Sequence, residues 1–135
     1  MAVTMSGTMT GATHGVVVHG PSGVELRLMA PQDNGGDASS FSPTDLCAVS
    51  LGACAAMTMS LYAGRNDIDA RITFDVTKEM SASPRRIGRL TVRITVAGPV
   101  TDEQFEKLKA VAHTCPVRRS LHPDVEIDET FERVG

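Results

Sequence analysis

The sequence has no tryptophan, one tyrosine and four phenylalanines, so it offers little flat aromatic surface on which nucleic-acid bases could stack. It also lacks an excess of positive charge, since 13 lysines and arginines stand against 16 acids for a net charge of -3. A nucleic-acid partner is therefore not expected. No apolar segment near Met1 follows a cluster of positive charge, which argues against a secretory signal. Three cysteines do not make the disulfide framework of a small secreted domain. The expected compartment is the cytoplasm, where a thiol pair is more often catalytic or redox-active than structural. Four histidines and three cysteines occur without any C-x-x-C or H-x-x-x-H spacing, so no metal site is expected. A G-x-S-x-G elbow and a phosphate-binding loop are missing too, which leaves hydrolase and nucleotide-binding readings without support and implies no cofactor. There is no internal repeat, and the length of 135 residues fits a single domain, 1-135.

What the chain does have is one long, nearly uncharged stretch, Ser42 to Gly64. Ser42 suits a helix N-cap, Pro43 the first helical position, and Asp45 the place where a carboxylate meets free amides and the positive end of the helix dipole. Gly64 reads as the stop. After Asp45 no charged residue follows up to Gly64, and Ala, Ser, Gly and Cys lie on every face, so no solvent-facing stripe can be drawn. This helix is expected to be buried all round. About 20 residues span about 30 Å, enough for a bilayer. Ser50, Thr58, Ser60 and the many small residues make the stretch too weakly apolar to insert, so a membrane is not expected. A chain of this size cannot wrap such a helix alone, and an obligate dimer resolves the conflict.

Around this helix the pattern is β-type. Val16-Val17-Val18 and Val24 to Leu28 flank the turn residues His19 to Gly23 and predict a hairpin. Met1 to Thr13 show no period, so regular structure is expected to start near His14. Arg71 to Lys78 and Leu90 to Val96 alternate apolar and polar, joined through a loop at Ser81 to Pro84. Thr101 with Gln104 forms a capping box ahead of an amphipathic helix carrying Phe105, Leu108, Val111 and Ala112. Pro116 ends that helix by Cys115 and opens a short helical turn through Leu121. Val125, Ile127 and Phe131 predict a last strand, giving an α+β order β-β-α-β-β-α-β with antiparallel strand pairs.

The three cysteines differ in what their positions allow. By composition alone Cys54, near the middle of the long helix, is a small buried hydrophobe, the ordinary role of a free cysteine. Cys47 lies seven residues earlier, about 10 Å away by helical rise, so the two cannot form a disulfide and Cys47 reads as core. Cys115 sits at a helix start with Arg118 and Arg119 following, where amide dipoles and positive charge can activate a thiol. A half-buried capping thiol is the equal alternative there.

The run Ser42-Pro43-Thr44-Asp45-Leu46 leading into Leu51-Gly52-Ala53-Cys54, followed about sixty residues later by Cys115-Pro116-Val117-Arg118-Arg119-Ser120-Leu121, resembles the OsmC/Ohr family of osmotically inducible and organic hydroperoxide resistance proteins. The likeness points to its divergent OsmC-like branch. It implies an OsmC-like fold in which two chains intertwine as a homodimer, with two long central helices inside antiparallel β-sheets. It further implies a cysteine-based peroxidase. Cys54 would be the peroxidatic thiol that attacks an organic hydroperoxide and becomes a sulfenic acid, and Cys115 the resolving thiol that condenses with it. The reductant implied is a dithiol, a lipoyl protein being one candidate. Because a free thiol of pKa ~8.5 is only a few per cent ionised at neutral pH, such a nucleophile needs a nearby cation. In the hydroperoxide resistance branch an arginine of the first hairpin does this, held by a glutamate ten residues before the reactive cysteine. By alignment of the first hairpin those places hold His14 and Thr44 here. His14, Asp45 and Arg118 are the candidates for thiolate activation, with Arg27 and Arg119 as further sources of charge; a helix-start carboxylate is the other role open to Asp45. The competing reading is a non-catalytic dimer of the same fold that binds an apolar small molecule in a Met-lined cleft, or a redox sensor.

Overall fold

The computed structural model describes all residues, 1-135, and divides into two compact units, Met1–Leu46 and Cys47–Gly135. The first unit is a three-stranded antiparallel sheet of β1 (Met5–Met9), β2 (His14–His19) and β3 (Glu25–Met29). The β2–β3 hairpin is the predicted one. Strand β1 was not expected, because Met5-Ser6-Gly7-Thr8-Met9 carries no alternation of burial: all five residues are exposed on both faces. It is held through the backbone ladder to β2, from Met5 opposite His19 to Met9 opposite Gly15. A one-turn 3-10 segment, Gln32–Asn34, follows β3.

Helix α1 runs from Pro43 to Arg65. Its start is the predicted one, made by reciprocal hydrogen bonds: the Asp45 amide donates to Ser42 Oγ (3.1 Å), and the Ser42 amide donates to Asp45 Oδ2 (2.9 Å). Its end lies beyond the expected Gly64. Asp67 takes the left-handed conformation (φ 52°), and the Ile68 amide reaches back to the Ala63 carbonyl at 2.9 Å, a Schellman closure with Ile68 buried beneath it. Asparagine and aspartate tolerate that conformation better than most residues, which is why no glycine is needed there.

In the second unit, β4 (Arg71–Ala82) and β5 (Arg85–Ala97) form an antiparallel hairpin, and β6 (Glu126–Val134) lies on the other side of β5. Not every pair is antiparallel, however. Strand β6 runs parallel to β5, because the connection passes through α2 (Asp102–Ala112) and α3 (Pro116–Ser120) and returns the chain to the end of the sheet where β5 began. The capping box of α2 is complete, with the Gln104 amide on Thr101 Oγ1 (3.1 Å) and the Thr101 amide on Gln104 Oε1 (3.0 Å).

The core of this unit joins Leu51, Ala55 and Met59 of α1, Leu90, Val92, Ile94 and Val96 along one face of β5, and Leu108 and Ala112 of α2. Close approach of α1 to β4 depends on Gly52. A Cβ at that position would stand 2.4 Å from Val76 Cγ2 and 2.6 Å from the Phe74 ring. In a solvent-facing helix, replacing glycine by alanine gains up to about 1 kcal/mol. Here overpacking of about 1–3 kcal/mol outweighs that gain, so Gly52→Ala is expected to lower stability, measured as a reduced urea midpoint. A higher midpoint would mean that β4 can retreat at no cost.

The expectation that α1 is buried all round is not met within one chain. Met57 and Leu61 are 60% and 50% exposed, and Ser60 and Gly64 join them at i, i+3, i+4, i+7 spacing as one uncovered stripe. By length and composition α1 could span a bilayer, with mean hydropathy 1.6, but its opposite side is spent on the core just described.

Candidate functional site

Cys54 and Cys115, distant in sequence, meet in the second unit. Cys54 is carried two turns past Cys47 on α1 and remains half-buried, while Cys115 is wholly buried at the junction between α2 and α3. The two thiols are neighbours that influence each other's ionisation, and Cys54 packs against the core cluster that contains Cys115. The sequence places Cys115 by local rules. Pro116 cannot continue α2 and suits the first turn of α3, which leaves Cys115 as the N-cap, its Sγ accepting the Arg118 amide at 3.4 Å.

Burial, followed by interaction with the neighbouring Cys54 thiol, pushes the Cys115 thiol above its ordinary pKa; the Arg118 amide opposes this but does not reverse it. The folded protein thus holds this proton more tightly than the unfolded chain. The resulting stability is fully present below the ordinary thiol value of ~8.5 and is lost as pH rises through the higher folded value. In reduced protein the urea midpoint should accordingly fall above about pH 8.5, and Cys115→Ala should flatten that decline. Equal slopes in the two proteins would assign the alkaline loss to other groups.

The remaining candidates fall in different places. Asp45 serves the helix start, through the bonds to Ser42 given above. His14 is exposed on β2, its Nδ1 3.5 Å from Thr13 Oγ1. With Arg27 it lines a groove of about 370 Å³ in the first unit, together with Glu25, Ser39 and Ser40. The Arg118 guanidinium forms an ion pair with Glu129 of β6, whose Oε1 also lies 3.7 Å from His113 Nδ1. Cys47 is half-buried on α1, and its carbonyl accepts the Ser50 hydroxyl at 2.6 Å.

Glu129 escaped the sequence reading, although a signal for it exists. The alternation of β6 turns Ile127, Glu129 and Phe131 to the buried side and Glu126, Asp128 and Thr130 to solvent. Glu129 is therefore not one more surface acid of that strand. Its side chain is only 3% exposed.

The model of OsmC-like proteins matches residues 35–130. The chain belongs to the OsmC-like family. Its fold matches that of a protein from Psychrobacter arcticus, provisionally described as an osmotic stress induced and detoxification response protein, at TM-score 0.90 and 34% identity over 97% of this chain and 96% of that one. A Legionella pneumophila organic hydroperoxide resistance protein matches at TM-score 0.71 and 22% identity, covering 99% and 98%. An OsmC-like protein of unknown function from Vibrio cholerae matches at TM-score 0.76 and 12% identity, covering 97% and 99%. No curated protein matches. The OsmC-like fold accounts for the α+β arrangement of two sheets with a long cysteine-bearing helix.

Proposed function

We propose that this chain is a cysteine-based peroxidase that reduces organic hydroperoxides. The observation that carries the reading is the pairing of two thiols distant in sequence, a half-buried Cys54 packed against the core cluster that holds the fully buried Cys115. Family membership supports it. Cys54 is the more accessible of the two and is assigned the attack. As a thiolate it displaces the alkoxide from a hydroperoxide, which takes a proton and leaves as the alcohol, while Cys54 becomes a sulfenic acid. The Cys115 sulfur gives up its proton as it attacks the sulfenic sulfur. The Cys54–Cys115 disulfide forms, and the hydroxyl of the sulfenic acid leaves with the thiol proton as water. A dithiol returns the pair to the reduced state by exchange.

The working unit in this reading is a homodimer in the cytoplasm, with the Met57–Leu61 stripe of each α1 covered by the partner's helix.

Thiol titration after one equivalent of cumene hydroperoxide tests the proposal. Three free thiols are expected before addition and one afterwards, with Cys47 the survivor, and Cys47→Ala should leave peroxide consumption intact. If all three thiols persist while peroxide does too, the chain is a binding protein of the same fold.

A further inference from the structure

Glu129 occupies a place where an apolar residue would be the ordinary choice, between Ile127 and Phe131 on the inward side of β6 and opposite the fully buried Val92 of β5. A carboxylate so placed is costly unless it is paired, and removing one partner of such a pair leaves an uncompensated buried charge. The pairing here is partial. Oε1 takes the Arg118 guanidinium and lies 3.7 Å from His113 Nδ1, while the buried Oε2 has no hydrogen-bond partner. His113 in turn sets its ring edge-on to Phe131, with ring centroids 6.0 Å apart.

What this carboxylate holds is α3. The helix has five residues, none of them buried, and a single helical turn has little stability of its own. Its apolar contacts with the core come from the partly buried Val117 and Leu121. Arg118 is thus attached at two points: its guanidinium is tied to β6, and its amide is bonded to Cys115 Sγ. The position of the Cys115 thiol is coupled through one residue to the carboxylate of Glu129.

We propose that Glu129 is a positioning residue for disulfide closure, acting through Arg118 to keep the Cys115 thiol against Cys54. A disulfide tolerates Cα separations of only about 4.4–6.8 Å and a narrow torsion, so a small drift of α3 removes much of the advantage of having both thiols in one unit. The inference deepens the peroxidase reading and rests on the same thiol pair, but it concerns the joining of two thiols and not the attack on peroxide.

The full-length chain is equilibrated in glutathione buffers of graded ratio, and the Cys54–Cys115 disulfide is quantified by mass spectrometry. In this exchange the two protein thiols surrender two protons and two electrons to glutathione disulfide, which leaves as two glutathione molecules. Glu129→Gln keeps the shape and removes the charge; Glu129→Asp keeps the charge and shortens the reach. Each is expected to lower the equilibrium constant for disulfide formation about tenfold, the scale of one charge-assisted hydrogen bond. With hydroperoxide present, Glu129→Gln should also accumulate a dimedone-trappable sulfenic acid on Cys54, which a general loss of stability would not produce. Arg118→Lys, which retains a cation, should stay closer to wild type than Glu129→Gln does. If Glu129→Gln fails to fold, Glu129→Asp carries the test. Equilibrium constants within twofold of wild type for the folded variants overturn the inference, as does a wild-type protein that forms no such disulfide. A wild-type protein that forms the disulfide with glutathione but ignores hydroperoxide instead removes the peroxidase reading and leaves the positioning role standing.

Discussion

Cys54→Ser is expected to abolish hydroperoxide consumption, whereas Cys115→Ser is expected to consume one equivalent and then stop. The asymmetry follows from what each thiol can do. Cys115 is wholly buried, and burial alone raises its pKa, so with Cys54 gone it is still a poor and shielded nucleophile. Cys54 is half-buried, so with Cys115 gone it can still attack once, but its sulfenic acid has no partner. Cys47, a full two turns along the same helix, cannot reach it. That acid should be captured by dimedone or by an added thiol, and excess peroxide should carry it to the sulfinic acid. The expected loss is complete for the first variant and is seen as a single stoichiometric turnover for the second. Mass spectrometry of both proteins after peroxide treatment makes the comparison. Oxidised Cys115 in Cys54→Ser beside unmodified Cys54 in Cys115→Ser would reverse the roles.

Met57→Glu combined with Leu61→Glu is expected to convert a dimer into a monomer. The two side chains stand exposed one turn apart on α1, with Ser60 and Gly64 beside them. Small residues of that kind let two helices approach closely. Burying a methionine or leucine side chain is worth about 1.5–3 kcal/mol, and a two-fold interface counts each twice. Replacing all four with carboxylates should raise the dissociation constant roughly ten-thousand-fold or more. For the unaltered protein the thermal midpoint should climb with protein concentration, because folding and association are linked. In the double variant that dependence should vanish, and light scattering should report the mass of one chain. An unaltered protein that is already monomeric at micromolar concentration would remove the dimer from the proposal.

Much of the architecture was legible because it is governed by local rules. The Ser42 cap with Asp45 and Pro43, the Thr101–Gln104 box, and the Cys115–Pro116 junction each follow from residues within one helical turn. A β-branched run beside turn residues identified β2, alternation identified β3, β4, β5 and β6, and the paired cysteine motifs indicated the family that matches over residues 35–130. Features that depend on partners far along the chain could not be read this way. Strand β1 has no apolar face and exists through its backbone ladder to β2, which leaves no mark in residue type. The parallel course of β6 was decided by the path of the chain through α2 and α3, since the alternation of a strand is the same in either direction. The left-handed stop at Asp67 displaced the one expected at Gly64, because the buried Ile68 could close the end of α1.

The site divides along the same line. The sequence by itself determined which thiols are present, and helical spacing separated Cys47 from Cys54. Only the tertiary structure brought Cys54 beside Cys115, and only it assigned the guanidinium of Arg118 to Glu129. The reason is that a side chain's charge partner and burial are set by whichever element packs over it. For Cys115 that element is α1, and for Arg118 it is β6, neither of them a near neighbour in sequence.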